Sequence, residues 1–225
     1  MSEILESVIA TYKKRPAAAI LMSGSGSNAE TLLGNEAIRD LYDIRLIFSD
    51  NPLSRGEEIA DQHGLYYAVD PVTRFRSREE REEYFDQALQ TFAKHGVGAA
   101  IYAGFMKITS KRFCYEMPGV NVHPADLTIT NEHGVAKYRG MSALPDMRRK
   151  EGYVASSLHV ADVPVDTGSV IAVTSRVTCP SEVSDADCHN ALKAHEHVLY
   201  PLGLTILGQG LINAGDEPRR IDTWR

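Results

Sequence analysis

The chain has 225 residues, of which 43% are hydrophobic and 24% charged, and its formal net charge is -6. This composition is that of an ordinary globular protein with one sizeable core. The negative charge excludes a general attraction to nucleic acid or to anionic membranes. No apolar run approaches the roughly 20 residues of a membrane span, and the amino terminus lacks the pattern of a secretory signal. Three scattered cysteines (Cys114, Cys179 and Cys188) favour a reduced, cytoplasmic protein without a disulfide framework or a metal site.

In the first half of the chain, apolar runs with strand character alternate with segments that favour helices. Strands are predicted over 17–24, 43–50, 65–70, 97–106 and NVHP, and helices over 27–41, 54–64 and 77–96. This alternation predicts a parallel, doubly wound sheet, and the nearly uninterrupted apolar run 97–106 predicts a strand that is covered on both faces. Ligands of such sheets bind at the carboxyl ends of the strands, close to a change in strand order.

The second half of the chain follows a different pattern. Residues 153–162 and 168–177 predict two strands with a short Pro/Asp/Gly connection, which favours an antiparallel pair. A helix is predicted over 185–207, bent or interrupted at Pro201. We therefore expect an α/β fold, doubly wound and Rossmann-like, with a mostly parallel sheet, a C-terminal antiparallel strand pair and a long terminal helix. The absence of linkers and repeats predicts a single domain over 1–225.

The stretch GVNVHPADL, residues 119–127, carries an amide and an imidazole on one strand face. Asn121 and His123 are two positions apart, so alternation along a strand directs both side chains to the same side. An amide can hold a carbonyl oxygen, and an imidazole can move a proton near neutral pH. The alternative is that both are ordinary satisfied polar groups at a strand end, as most isolated matches to so short a pattern are.

A glycine-rich turn, SGSGSN at residues 23–28, follows the first predicted strand and begins the next helix. The free backbone N–H groups and the positive end of the helix dipole at such a turn suit a phosphate. The turn lacks the third glycine of the dinucleotide fingerprint and the Gly-Lys-Ser/Thr of a P-loop. The alternative is a tight strand-to-helix turn in which Ser27 or Asn28 caps the helix.

The turn between the two late strands contains a carboxylate, Asp166. An aspartate on a turn usually serves the turn itself, but this one is also a candidate to face His123, hold its tautomer and raise its pKa. His159 lies seven residues earlier, and its position in an apolar strand favours a satisfied core histidine over a catalytic one.

Three further patterns have both a structural and a functional interpretation. The turn GFMKIT, residues 104–109, is either a core cluster or exposed backbone that holds a flat heterocycle. Lys193 and Glu196 share a helix face, either as a surface ion pair or as ligand contacts. The tract RFRSREER, residues 74–81, is either a solvated helix start or a source of an arginine that reaches a phosphate.

Taken in order, these motifs resemble the glycinamide ribonucleotide formyltransferase family of purine synthesis. The resemblance runs from about residue 17 to about residue 203 and comprises SGSGSN, AGFMKI, NVHP, a hairpin with VDTGSVI, and KAHEHVLYP. NVHP with the later Asp-x-Gly-x-Val-Ile is fairly specific for folate-dependent formyltransferases in general. The Gly-Ser-Asn loop and the EHxxYP tail are more specific for the ribonucleotide enzyme. Methionyl-tRNA formyltransferase shares the Asn-His-Asp set but carries a second, basic domain.

The resemblance implies a role for each matching residue. The residues that match the catalytic trio are Asn121, His123 and Asp166. Those that match the phosphate- and ribonucleotide-binding positions are Gly26, Ser27, Asn28, Lys193 and Glu196. Those that match the folate-binding positions are Arg78 (with Arg76 and Arg81 as alternatives), Phe105, Met106, Lys107, Ile108, Thr109 and again Asn121. The single domain is thereby divided into a phosphate-binding half, 1–105, and a folate-binding and catalytic half, 106–225.

The implied reaction moves the formyl group of 10-formyltetrahydrofolate, a co-substrate, to the amine of glycinamide ribonucleotide without a metal ion. Asn121 and protonated His123 would donate hydrogen bonds to the developing oxyanion, such donors being worth about 3–4 kcal/mol each. Asp166 would keep His123 charged at neutral pH. The expected partners are small-molecule substrates, with neither nucleic acid nor membrane, and the expected state is a monomer or a homodimer.

Between residues 125 and 152 the sequence departs from the family pattern and contains a charged insert, TNEHGVAKY. This segment borders the active-site cleft in the family, so the acceptor is left open. One alternative is a folate-dependent N-formyltransferase for another amine, such as an amino sugar nucleotide or a natural-product precursor. The other is a catalytically silent folate- or nucleotide-binding module, which has no need of Asn121, His123 and Asp166 together.

Overall fold

The computed structural model of the protein describes residues 3–223. Within that range, helices and strands alternate around one large sheet. The helices are α1 (Glu3–Tyr12), α2 (Ser27–Gly34), α3 (Glu36–Leu41), α4 (Gly56–His63), α5 (Arg78–Lys94), α6 (Lys111–Glu116), α7 (Ala143–Glu151) and α8 (Asp185–Gly208). The strands are β1 (Ala17–Met22), β2 (Asp43–Ser49), β3 (Tyr66–Val69), β4 (Ala99–Tyr102), β5 (Gly119–His123), β6 (Tyr153–Val154), β7 (Ser157–Val160), β8 (Val170–Thr174), β9 (Val177–Thr178) and β10 (Arg219–Ile221).

Eight of the strands form one sheet, in the order β10-β8-β7-β5-β4-β1-β2-β3. The pairs among β1 to β5 are parallel, as is the pair of β10 with β8, whereas β7 is antiparallel to both of its neighbours. Strands β6 and β9 form a separate antiparallel pair. The predicted α/β fold, with its mostly parallel sheet, late antiparallel strands and long final helix, is therefore confirmed.

Several helices differ from the sequence-based prediction. The predicted helix 27–41 is two helices, because Asn35 ends α2 and its side chain caps α3 by accepting the Ile38 N–H at 3.3 Å. Helix α8 is not interrupted at Pro201 but continues through it. Most of the residues around Pro201 are buried, and this packing compensates for the hydrogen bond that proline cannot donate. Helices α1, α6 and α7 and strand β10 were not predicted.

Two of the predicted strands are shorter than expected. The apolar run 97–106 contributes only β4 to the sheet, because the chain turns at Gly104, which has a φ of 81°. The run 153–162 divides into β6 and β7, which belong to different sheets. Apolar character alone did not distinguish strand residues from the buried turn residues that follow them.

The core lies on both faces of the sheet, because its central strands carry apolar side chains on both sides. In β1, Ala18, Ile20 and Met22 face one layer, and Ala19 and Leu21 face the other. Helices α1, α2, α3, α4 and α8 contribute to the first layer, and α5 and α6 to the second. The central strands are therefore covered by helices on both faces.

The change in strand order falls between β1 and β4. From β1 the chain moves outward through β2 and β3, and it returns to the other side of β1 as β4. The carboxyl ends of β1, β4 and β5 therefore border a crevice, which is where doubly wound folds bind their ligands.

Helix α8, with 24 residues the longest in the described range, is anchored to the sheet by a tyrosine. The Tyr200 hydroxyl shares its one hydrogen between the carbonyl oxygens of Tyr102, at 2.9 Å, and Val120, at 3.1 Å. These oxygens belong to β4 and β5, so the bond ties α8 to the strands that border the crevice.

Among residues 3–223 no helix, α8 included, is both long and apolar enough to cross a membrane.

Replacing Tyr200 with phenylalanine should lower the free energy of unfolding by about 1–3 kcal/mol, because it removes a buried donor and keeps the ring. Urea denaturation measures this change. Tyr66→Phe is the matched control, since the Tyr66 side chain is 62% exposed; it should stay within about 0.5 kcal/mol of the wild type. Equal denaturation midpoints for Tyr200→Phe and the wild type would contradict the anchoring role.

Candidate active site

Strand β5 brings Asn121 and His123 to one side of the sheet, as strand alternation predicts, while Val120 and Val122 join the core on the other. In the antiparallel pair with β7, Asn121 lies opposite His159, and its Nδ2 atom is 3.1 Å from His159 Nε2. His159 Nδ1 donates to the Val160 carbonyl oxygen at 2.8 Å, which leaves Nε2 as an acceptor. Asn121 therefore donates one amide hydrogen to His159 and retains the second.

The connection between β7 and β8 places Asp166 beside both histidines. Its Oδ2 atom is 3.4 Å from His123 Nδ1, and its Oδ1 atom is 3.5 Å from His159 Nε2. Asp166 has a φ of 55°, which is uncommon for a residue other than glycine. A Cβ atom at Gly168 would lie 2.0 Å from the Val160 carbonyl oxygen, so the close return of the chain requires glycine there. The structure thus brings Asp166 to His123, as the sequence interpretation proposed.

His159 is the satisfied core histidine that the sequence favours, and one of its partners is Asn121. It is 1% exposed, and burial lowers its pKa while Asp166 opposes that shift. The neutral ring is the form that accepts a hydrogen bond from Asn121, so His159 orients the amide of a candidate catalytic residue. The sequence already showed a second histidine, His159, on the predicted strand that precedes Asp166. It did not show that His159 pairs with Asn121, because that pairing depends on the register of β5 against β7.

The segment that departs from the family pattern supplies backbone partners to the His123–Asp166 pair. His123 Nε2 lies 3.1 Å from the Tyr138 carbonyl oxygen, and the Gly140 N–H donates to Asp166 Oδ2 at 2.8 Å. Tyr138 is 2% exposed, and its hydroxyl donates to Glu151 on α7. The segment 125–152 therefore forms part of the wall of the site. Backbone contacts carry no residue-type signature, which is why the sequence did not predict them.

The protonation state of His123 differs from the sequence-based expectation. His123 is 5% exposed, and burial is the larger influence, lowering its pKa below the usual 6.5; the Asp166 carboxylate opposes this shift without overcoming it. The expectation that Asp166 keeps His123 charged at neutral pH is therefore wrong. A neutral His123 is suited to accept a proton.

Within residues 3–223 no three His, Cys, Asp or Glu side chains are arranged to hold a metal ion.

The glycine-rich turn after β1 leaves the start of α2 open to a ligand. Gly26 is the N-cap residue of α2, with a φ of 74° and no capping side chain, so the alternative in which Ser27 or Asn28 caps the helix is wrong. A Cβ atom at Gly26 would lie 2.4 Å from Ile59 Cδ1. Uncapped N–H groups in the first turn of a helix are the arrangement that binds anions.

A buried carboxylate from α8 lies beside this turn. Glu196, which is 3% exposed, accepts a hydrogen bond from Asn28 Nδ2 at 3.3 Å and another from the Ser156 hydroxyl at 2.7 Å. Lys193, one turn earlier on α8, is half-buried and donates to Asn190 at 3.4 Å. A surface ion pair therefore does not describe Glu196, which is buried and faces α2.

Residues 105–109 continue from the end of β4 along the crevice. Met106 and Ile108 expose 57% and 48% of their surface, which leaves two apolar side chains open to solvent. Phe105 packs into the second core layer, and buried Thr109 bonds to the Cys114 thiol. The core-cluster interpretation thus describes Phe105 and Thr109, whereas Met106 and Ile108 are available to a ligand.

The two cations assigned to the folate side lie in different surroundings. Lys107 Nζ is 3.1 Å from Asp50 Oδ2, so its ammonium group turns inward. Arg78 begins α5 with 73% of its side chain exposed, and its Nε atom is 3.7 Å from Glu82. It lines an open groove along α5 whose other residues are mainly acidic. The contact of Arg78 with folate stays a prediction.

A family model described as formyl transferase matches residues 17–204, which is most of the chain. The match spans the β1 turn, the β4 end, the β5 strand with Asn121 and His123, and most of α8. This chain belongs to the formyl transferase family.

The chain is similar to enzymes of purine synthesis. It is 30% identical over 209 residues to the trifunctional purine biosynthetic protein adenosine-3 of Drosophila melanogaster, covering 88% of this chain but only 14% of that protein. It is 26% identical over 213 residues to the phosphoribosylglycinamide formyltransferase of Escherichia coli (strain K12), covering 92% and 93% of the two chains. The solved phosphoribosylglycinamide formyltransferase from Bacillus halodurans is 25% identical, with a TM-score of 0.72 over 85% of this chain and 94% of that one.

Replacing Asp166 with asparagine should lower the His123 pKa further, because the carboxylate is the main influence that opposes burial. NMR titration of the His123 ring in the wild type and the variant measures the shift. Asp146→Asn, which alters a carboxylate paired with Arg149 on α7, is the control and should leave the His123 pKa unchanged. An identical His123 pKa with and without the Asp166 carboxylate would rule out its electrostatic role.

Proposed function

We propose that this protein transfers a formyl group from 10-formyltetrahydrofolate to the amine of glycinamide ribonucleotide. The observation that carries the proposal is the cluster at the carboxyl end of β5, in which Asn121 contacts His159 and both His123 and His159 lie beside Asp166. Support for the substrates comes from relatives that match almost their whole length to this chain and are named phosphoribosylglycinamide formyltransferase.

In the proposed reaction the amine nitrogen forms a bond to the formyl carbon, and the bond from that carbon to the folate nitrogen breaks. The proton leaves the amine and ends on the folate nitrogen. Neutral His123 is suited to carry this proton, and Asp166 stabilises the charged ring while it does so. Asn121 can donate its second amide hydrogen to the oxygen on which negative charge develops, in the orientation that His159 imposes.

The surroundings of the α2 start support a phosphorylated acceptor. The N–H groups after Gly26, including that of Ser27, suit the phosphate, and Lys193 and Glu196 would hold the rest of the ribonucleotide. The Asn28 Oδ1 atom is buried and has no hydrogen-bond partner within residues 3–223, which leaves an acceptor for a ligand hydroxyl or amide. Asn28 belongs to the proposed phosphate-binding half and Glu196 to the other, so their hydrogen bond joins the two halves.

The end of β4 supports a flat, partly apolar donor. The exposed side chains of Met106 and Ile108, with the backbone groups of residues 106–109 between them, combine apolar surface with a few polar groups, as small-molecule sites do. Lys107 would contribute through its backbone, since its side chain is paired with Asp50.

A different amine acceptor is the second candidate, and the backbone contacts of the divergent segment 125–152 favour it. Tyr138 and Gly140 touch His123 and Asp166 directly, so the divergent segment shapes the space beside the reacting groups. A silent binding module is the weaker alternative, because burying two histidines around a carboxylate costs stability that mere binding does not require.

Purified protein with 10-formyltetrahydrofolate should formylate glycinamide ribonucleotide in preference to an amino sugar nucleotide and to simple amines. His123→Ala should lower kcat by about 10²–10⁴-fold, because the proton carrier is lost. His63→Ala, at the exposed end of α4, is the matched control and should keep the wild-type rate. Preference for another amine would favour the second candidate, and wild-type turnover by folded His123→Ala would refute the catalytic assignment.

Lys193→Met should raise the KM for glycinamide ribonucleotide by about tenfold, since a charge-assisted hydrogen bond to the ligand is removed. The KM for 10-formyltetrahydrofolate should change by less than about twofold. Lys193→Arg should recover part of the affinity, and Lys94→Met, in the last turn of α5, should alter neither constant. A proportional rise in both KM values would indicate a general defect instead.

A further inference from the structure

A buried carboxylate that no part of the proposed reaction uses lies beneath the crevice. Asp50 follows β2 directly, and only 3% of its side chain is exposed. Its Oδ1 atom accepts a hydrogen bond from the Ser23 hydroxyl, and its Oδ2 atom lies 3.1 Å from Lys107 Nζ. Lys107 Nζ also donates to the Thr73 carbonyl oxygen at 3.0 Å. Asp50 thus connects the carboxyl ends of β1, β2 and β4.

Ser23 extends this connection to the backbone of the segment after β4. Its hydroxyl oxygen accepts the Met106 N–H at 2.8 Å while its hydrogen is directed at Asp50. The Ser23 N–H donates to the Gly104 carbonyl oxygen at 3.1 Å. The Ser23 hydroxyl donates one hydrogen bond and accepts another, and each of the two bonds polarises the hydroxyl and strengthens the other. Loss of the Asp50 carboxylate should therefore also weaken the bond from the Met106 N–H to Ser23.

The pairing explains why the side chains of residues 106–108 point in different directions. Lys107 exposes only 18% of its side chain because its ammonium group is held by Asp50, whereas Met106 and Ile108 on either side are exposed. A buried carboxylate requires such a partner, since an unpaired charge in the interior is costly. The segment is therefore held from its inner side, with its outer side open.

We propose that Asp50 is a positioning residue which, through Ser23 and Lys107, holds the backbone of residues 106–109 in the conformation that binds the formyl donor. The inference rests on the proposed function, because it assumes that this segment receives the folate. Asp50 itself does not touch the substrates. Asp50 fixes the contacts that residues 106–109 make with the protein interior. The segment is then already ordered before the donor binds, so ordering it does not reduce the binding free energy.

The test compares Asp50→Asn, which keeps the shape and removes the charge, with the wild type. Calorimetric titration with tetrahydrofolate should show at least tenfold weaker binding. The KM for 10-formyltetrahydrofolate should rise in parallel, while kcat and the KM for the acceptor stay within about threefold, because the catalytic trio is untouched. The matched control is Glu116→Gln, which removes the charge of an exposed carboxylate paired with Arg112 and should change none of these values.

A double-mutant cycle tests whether the ion pair acts as a unit. Lys107→Met should weaken tetrahydrofolate binding by a similar factor, and the Asp50→Asn/Lys107→Met double variant should lose no more than either single variant. Lys107→Arg, which retains the charge, should restore part of the affinity. If Asp50→Asn does not fold by circular dichroism, the Lys107 variants carry the same comparison.

Three results would overturn the proposal. Unchanged tetrahydrofolate affinity in folded Asp50→Asn and Lys107→Met would show that the pair does not position the segment. Equal losses for donor and acceptor would show a general structural role. Failure of the wild type itself to bind tetrahydrofolate would overturn the proposed function and this inference together, which distinguishes that case from the first two.

Discussion

The antiparallel pairing of β5 with β7 is the constraint on which the candidate site depends. Its register sets Asn121 opposite His159, and a shift by one residue would turn one of these side chains to the other face of the sheet. The connection that follows β7 then folds back over the sheet, held by the close approach of Gly168 to the Val160 backbone, and delivers Asp166. Three residues distant in sequence thereby share one buried space.

Burial and charge act in opposite directions on His123. Desolvation favours the neutral ring. The Asp166 carboxylate, 3.4 Å from Nδ1, and the Tyr138 carbonyl oxygen, which accepts a hydrogen bond from Nε2, favour the charged one. A neutral ring that donates its one hydrogen from Nε2 to Tyr138 leaves Nδ1 unprotonated beside Asp166, whose Oδ2 atom accepts the Gly140 N–H. His123 is therefore neutral at rest but surrounded by groups that stabilise the proton it would carry. Asp50 is also buried, and Lys107 and Ser23 provide its ion-pair and hydrogen-bond partners.

Local pattern in the sequence was sufficient to predict the strand–helix alternation, the mostly parallel sheet and the shared face of Asn121 and His123. These features depend on the periodicity of side chains along an element, which a sequence displays directly. The tight turn at Gly26 was predictable for a similar reason, since the glycines mark where the backbone takes a conformation that other residues rarely adopt. Asp166 was assigned as a partner of His123 through the resemblance to a family, because nothing in spacing alone brings a turn residue to a strand 43 positions earlier.

The sequence by itself thus determined the type of fold and the identity of the polar residues at its strand ends. Only the tertiary structure decided their chemical state and their partners. The neutral form of His123 follows from how completely its neighbours exclude water, and the contact from Tyr138 is made by a backbone atom that every residue possesses. The inward turn of Lys107 toward Asp50 likewise depends on two distant strands ending side by side. Burial and through-space contact are properties of the packed chain, and no local pattern encodes them.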